Sequence, residues 1–175
     1  MRNKINVKRK ILYIFLLFIL VILFSLFSIP NSQEKKSEIK KFYRVSRVID
    51  GDTIEVEIDG KYERVRLLGI NTPEVDSPYT KEECYGPEAS AYLKKILKNK
   101  YVFLVPDEKN ENRDKYNRLL RYVFMKDGTF IEEDLIKKGY AYNYIYFPFK
   151  FKEKFSIWEK EARDKKIGLW GKCEN

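Results

Sequence analysis

Three kinds of hydrophobic pattern follow one another along the chain, and each predicts a different structure. Ile11 to Ile29 is a run of Ile, Leu, Phe and Val broken only by Tyr13, Ser25 and Ser28. These nineteen residues carry no charge and are long enough to cross the hydrocarbon core of a bilayer as a helix. Residues 31–41 are polar and charged with no apolar period, as in a tether. From Phe42 onward short alternating segments take over. Phe42–Ile49, Thr53–Ile58 and Tyr62–Ile70 read as strands, the second setting Ile54, Val56 and Ile58 against Thr53, Glu55 and Glu57. Asp50-Gly51 and Asp59-Gly60 separate them as hairpin turns, which predicts a three-stranded antiparallel meander. Arg64 and Arg66 then share the face opposite Val65 and Leu67, and Pro73, which has no N–H for a ladder, ends the third strand.

Helical spacing appears next. Gly86-Pro87-Glu88 opens a helix with proline in its first turn, and Ala89, Leu93, Ile96 and Leu97 make a stripe opposite Lys94, Lys95 and Lys98. Tyr101–Val105 and Leu119–Met125 are two further strands on either side of a charged loop, Pro106–Arg118. A second helix fits Phe130–Lys138 and stops at Gly139, and a third runs over Phe149–Lys165 with Phe151, Phe155, Trp158 and Ala162 on one side. Five short strands with a helix between the third and fourth predict an α+β domain, a small five-stranded OB-type Greek-key barrel with three helices over residues 42–175. One N-terminal transmembrane helix precedes it.

Composition narrows the chemistry. The chain contains no histidine and two cysteines, which excludes an imidazole base, a histidine-ligated zinc and a cysteine-built zinc site. Proton transfer near neutral pH must therefore fall to a carboxylate, with a tuned Lys or Tyr as the lesser alternative. The net charge of +9 is misleading, because Arg2, Lys4, Lys8, Arg9 and Lys10 precede the apolar run without an acid among them. Without those five the chain keeps 30 basic against 26 acidic residues, or +4. By the positive-inside rule the same five place the C-terminal domain outside the cytoplasm. Residues 1–30 read as an uncleaved membrane anchor in contact with lipid; a cleaved signal peptide, after which the domain is secreted, is the alternative, although Ser28-Ile29-Pro30 is a poor cleavage site.

Ile49-Asp50-Gly51-Asp52-Thr53, Arg66-Leu67-Leu68 leading into Thr72-Pro73-Glu74, Tyr85-Gly86-Pro87-Glu88-Ala89-Ser90, Asp114-Lys115-Tyr116-Asn117-Arg118 and Gly168-Leu169-Trp170 occur in that order. In this series residues 42–175 resemble the thermonuclease, or staphylococcal nuclease-like, family. The resemblance implies a calcium-dependent nuclease that hydrolyses phosphodiester bonds of DNA and RNA and leaves 3'-phosphate ends. Asp52, Asn71 and the carbonyl of Thr72 match the metal ligands, with Asn71 standing where the family usually carries an aspartate. Glu74 matches the proposed general base, and Arg66 and Arg118 match the arginines that grip the phosphate. Lys115, Tyr116, Tyr144 and Tyr146 match substrate-binding positions. Cys84 and Cys173 match a disulfide, while two free thiols stay open as the alternative.

Each motif alone also has a plain structural reading. Asp50-Gly51-Asp52 can be a hairpin turn, Thr72-Pro73-Glu74 a strand exit, and Tyr144 and Tyr146 barrel packing. A non-catalytic nucleic-acid-binding barrel held at the membrane is the rival to the nuclease, and the joint presence of Asp52, Arg66, Glu74 and Arg118 separates the two.

Overall fold

The computed structural model describes residues 12–22 and 41–173. The chain divides into two units, Met1–Ile39 and Lys40–Asn175. In the first, residues 12–22 form helix α1 with exposed side chains. The rest of the expected span, and the tether except for Lys41, lie outside the described residues. No helix among the described residues is long and apolar enough to cross a membrane.

The second unit is a closed barrel of five strands: β1 (Phe42–Val48), β2 (Thr53–Ile58), β3 (Lys61–Leu67), β5 (Tyr101–Val105) and β6 (Leu119–Met125). Its order is β1-β2-β3-β6-β5, with β3 and β6 parallel and the other neighbours antiparallel. The meander forms as expected, because Ile54, Val56, Val65 and Leu67 alternate inward and are almost wholly buried. Helices α2 (Gly86–Leu97), α3 (Ile131–Lys137) and α4 (Lys152–Asp164) supply Leu93, Leu97, Ile131, Leu135, Ile136 and Phe155 to the same core.

Three features depart from the pattern-based expectation. The third strand does not run to Ile70. It stops at Leu67, the chain turns through Gly69 at φ 76°, and Ile70–Asn71 forms a separate strand β4. A side chain at Gly69 would meet the Phe149 ring at 2.6 Å, so only glycine allows both the turn and the contact. Strand β4 pairs with β7 (Tyr142–Asn143), a second two-stranded sheet that no alternation predicts because each strand has two residues. The third helix begins at Lys152, not Phe149, and a further short helix, α5 (Leu169–Lys172), closes the chain.

Glu132, in the first turn of α3, is the unexpected core residue. It is wholly buried, and its carboxylate accepts the Val123 N–H at 3.1 and 3.2 Å. Burial pushes its pKa well above the usual carboxylate range, and the Val123 contact ties α3 to β6.

Cys84 and Cys173 are joined, closing a loop of 89 residues that ties the segment before α2 to the end of α5. Chain-entropy arguments give such a cross-link about 4 kcal/mol, less any strain. Denaturant unfolding with and without reductant measures it; equal midpoints in the two conditions would show that the bridge contributes nothing.

Candidate active site

The site is built where the β1–β2 turn meets the exit of β4. Asp50 Oδ1 accepts the Asp52 N–H at 3.0 Å, which shapes the turn, and Gly51 lets it lie flat against Thr72. A Cβ at Gly51 would stand 2.5 Å from Thr72 Oγ1. Asp52 is thereby buried at 7% exposure, where it accepts the Thr72 N–H at 3.1 Å and the Thr53 hydroxyl at 3.1 Å. Its Oδ2 also pairs with Arg66 Nη2 at 2.9 Å.

Arg66 Nη2 donates as well to Asn71 Oδ1 at 3.0 Å, while Nη1 donates to the Leu67 carbonyl. Asp52 and Asn71 thus converge on one positively charged nitrogen. Asn71 Nδ2 donates to the Thr72 carbonyl at 3.4 Å, which groups the three expected metal-binding residues around the Arg66 fork.

The second arginine comes from the loop before β6. Arg118 Nε donates to Asp114 Oδ2 at 2.7 Å, and its Nη1 reaches Thr53 Oγ1 at 3.3 Å. The hydroxyl of Thr53 therefore links Arg118 to Asp52, and through it to Arg66. Asn117 makes the loop's sharp turn at φ 62°, a conformation asparagine tolerates better than most residues. Asp114 also accepts the N–H groups of Tyr116 and Arg118. Burial works against its ionisation, but hydrogen bonds from the Arg118 backbone and side chain hold its carboxyl below the ordinary value.

A cleft of about 860 Å³ opens over these groups. Asp50, Asp52, Arg66, Asn71, Thr72, Glu74, Lys115, Tyr116, Arg118 and Tyr144 line it, so all the expected site residues but one are brought together. Tyr146 is the exception: it is 79% exposed and packs edge-on against Tyr144 at 5.2 Å without lining the cleft. Phe147 takes the wall position beside Tyr144. The Tyr116 ring carries Lys115 at 5.0 Å and Arg118 at 5.4 Å, so it forms an aromatic face bordered by positive charge.

Two carboxylates in the cleft are less acidic than usual. Asp50 is raised to about 6, first by burial and then by the negative charge of Asp52. Glu74 is raised by burial and by Asp52 and Glu83, against the opposing pull of Arg66 and Arg118. Among the described residues no three Asp, Glu or Cys side chains gather as a metal cluster, so any cation here meets a mixed donor set of low charge.

Sequence reasoning missed Asp50, Thr53 and Asp114 as parts of the site. All three stand inside motifs that carry the resemblance, and Asp114 also lies at i, i+4 to Arg118.

A family model described as Staphylococcal nuclease homologue matches residues 64–172. A thermonuclease of Staphylococcus hyicus is 40% identical over 129 residues, which cover 73% of this chain and 75% of the relative. Endonuclease YncB of Bacillus subtilis (strain 168) is 38% identical over 145 residues, covering 82% of this chain and 67% of the relative. An uncharacterized protein of Methanocaldococcus jannaschii, MJ1439, is 36% identical over 153 residues, covering 75% of this chain and 72% of the relative.

The lowered pKa of Asp114 gives a signed pH dependence. Its contribution to the loop is complete above the unfolded aspartate value of about 4 and is lost as pH falls through the lower folded value. Asp114→Ala should therefore remove acid sensitivity from this loop and lower activity at neutral pH by roughly 10-fold or more, as expected when a reacting group loses its aim. Activity assays and amide exchange of residues 113–118 across pH check both parts; full activity in Asp114→Ala would show that Arg118 does not depend on it.

Proposed function

The chain belongs to the staphylococcal nuclease homologue family and is a nuclease that cleaves phosphodiester bonds, and from that premise we propose that it hydrolyses DNA and RNA in a calcium-dependent reaction within the cleft. The observation that supports this reading is the gathering of Arg66, Arg118 and Glu74 around the Asp52–Asn71–Thr72 group at one cleft floor.

The residues fit a hard divalent cation by their donors. Asp52, Asn71 Oδ1 and the Thr72 carbonyl offer only oxygen, and two of them already share one cationic partner. Asp50, whose ionisation is held back first by burial and then by the negative charge of Asp52, is the kind of group that a nearby cation relieves. Bound there, calcium would supply positive charge for a phosphate oxygen and an attacking water.

The chain's own side chains do the rest. Arg66 and Arg118 present planar forks suited to two phosphate oxygens, and they oppose the negative charge that builds as phosphorus becomes pentacoordinate. Glu74 accepts a proton from the attacking water, and its raised pKa makes it a better acceptor than an ordinary glutamate. Lys115 flanks the phosphate path, while Tyr116 and Tyr144 offer flat faces to bases without reading sequence. Cleavage on the side that leaves a 3'-phosphate is part of the same reading.

The apolar segment at residues 11–29, with its basic N-terminal flank, is proposed to hold the domain on the outer face of a membrane. The Cys84–Cys173 bridge supports an oxidising surrounding. Fractionation of expressing cells tests it; soluble cytoplasmic protein would remove the anchor.

The deciding experiment incubates the full chain with single-stranded DNA, duplex DNA and RNA, with calcium or with chelator. Chelation should silence cleavage, and Glu74→Gln should lower turnover by roughly 100- to 10,000-fold, or about 3 to 5 kcal/mol of barrier. Equal rates with chelator would remove the metal from the reaction, and a fully active Glu74→Gln would show the residue to be structural.

Asn71 gives a further expected outcome. An amide oxygen carries no full charge, so calcium binds the free protein weakly and the substrate phosphate completes the site. Metal and nucleotide then bind with positive coupling, which must be reciprocal. Calorimetric titration with and without a nucleotide bisphosphate measures the coupling. Asn71→Asp should bind calcium more tightly and show less coupling, whereas unchanged calcium affinity would place Asn71 away from the metal.

A further inference from the structure

We propose that Glu83 is the positioning residue for Glu74, holding both the N–H and the C=O of that residue so that its carboxylate stays over the cleft. The proposal rests on the reading of Glu74 as proton acceptor.

Glu74 sits at a point where the chain leaves the barrel. Thr72 is pinned by Asp52, and Pro73 fixes its own φ, but beyond them residues 75–82 make an excursion over the surface. That loop is closed on itself. Ser77 N–H donates to the Thr80 carbonyl at 3.0 Å, the two hydroxyls meet at 2.7 Å, and Thr80 Oγ1 donates to the Val75 carbonyl at 2.9 Å. Tyr79 at its tip is 95% exposed. A catalytic side chain at the base of such a loop needs an anchor of its own.

Glu83 supplies it at the loop's neck. Its Oε2 accepts the Glu74 N–H at 3.0 Å, and its own N–H donates to the Glu74 carbonyl at 2.9 Å. One residue thus satisfies both backbone polar groups of the other and leaves the Glu74 side chain to face the cleft. Gly86, the first residue of α2, closes the arrangement from below: a Cβ there would lie 2.1 Å from the Glu74 carbonyl oxygen. The neck is also tied down from the far side, because Cys84 follows Glu83 directly and is bonded to Cys173 at the end of α5. Glu74 is therefore held to α2 and the C-terminal helices as well as to the barrel that carries Asp52, Arg66 and Arg118.

The side-chain half of the clamp needs an oxygen acceptor of glutamate length, and the charge of Glu83 adds only a contribution behind burial and Asp52 to the raised pKa of Glu74. Glutamine retains that oxygen and alanine does not. Because Glu83 is exposed, truncating it leaves the core packing unchanged. The test uses the full chain and measures kcat and KM separately with a single-stranded oligonucleotide and calcium. Glu83→Ala should lower kcat by roughly 10- to 100-fold, the scale of a small misplacement of a reacting group, with KM near that of the parent. Glu83→Gln should restore kcat to within about 3-fold of the parent, since the acceptor is kept. In a Glu74→Gln background, adding Glu83→Ala should cost less than about 2-fold more, because a residue acting through Glu74 has nothing left to position.

Parental kcat in Glu83→Ala overturns the proposal, and so does equal loss in Glu83→Ala and Glu83→Gln, or a full additional loss in the double variant. A Glu74→Gln enzyme that keeps its activity overturns the reading of Glu74 itself, a result visible before Glu83 is touched, so the two failures are told apart.

Discussion

Asp52 joins two segments twenty residues apart, accepting the Thr72 N–H at 3.1 Å and pairing with Arg66 at 2.9 Å in a place almost closed to water. Removing its carboxylate would leave the Arg66 head, itself only 13% exposed, without its ionic partner in a region of low dielectric. Breaking one side of a buried pair in this way costs about 3 to 5 kcal/mol. The local sequence is arranged around that pair: Asp50 sets the turn, Gly51 lets Thr72 approach, and Val65 and Leu67 on either side of Arg66 anchor β3 in the core. The Asp52 oxygens that hold the fold together here are the ones a cation would take, and the Arg66 nitrogen they hold is one a phosphate would take, so structure and chemistry use a single set of atoms.

The opposite wall of the cleft depends on a separate polar network. Asp107 is buried and accepts hydrogen bonds from the Tyr122 hydroxyl and from the Lys109 and Lys150 N–H groups. Asn110 adds a bond to the Pro148 carbonyl. These contacts hold the loop after β5 against the segment 147–150, so Phe147, Pro148 and Phe149 can form one side of the cleft while Lys109 and Asn110 form another. Asp114 then aims Arg118 from the end of the same loop. Each arginine of the site is thus oriented by its own carboxylate, and the hydroxyl of Thr53 connects the two pairs.

The barrel was legible because its strands alternate cleanly and its turns are Asp-Gly pairs, both local signals. Four of the five barrel strands lie within a residue of their expected ends, while the third stops three residues early at a glycine whose role depends on Phe149, eighty positions away in the chain. The β4–β7 pair stayed hidden for the same reason: two-residue strands leave no period, and their partners are set by the tertiary fold. Among site residues, those inside compact motifs were visible. The role of Thr53 was not, although it stands inside one, nor was that of Glu83, because an ordinary polar residue acquires its partner only when the chain closes. Tyr146, expected beside Tyr144 from the resemblance, is largely exposed and does not line the cleft.

A chain without histidine must choose its proton acceptor among carboxylates, and the structure separates three that are less acidic than usual. Glu132 is raised by burial, but it is sealed in the core against Val123 and meets no substrate. Asp50 is raised to about 6 partly because Asp52 lies beside it, and one of its oxygens already accepts the Asp52 N–H. Any cation at Asp52 lowers it again, which makes its basicity weakest when the site is loaded. Glu74 differs from both. Its upward shift begins with burial by the protein, its backbone polar groups are bound by Glu83, and its carboxylate remains open to the cleft between two arginines. Access together with basicity, not basicity alone, is what favours Glu74 as acceptor in the proposed reaction.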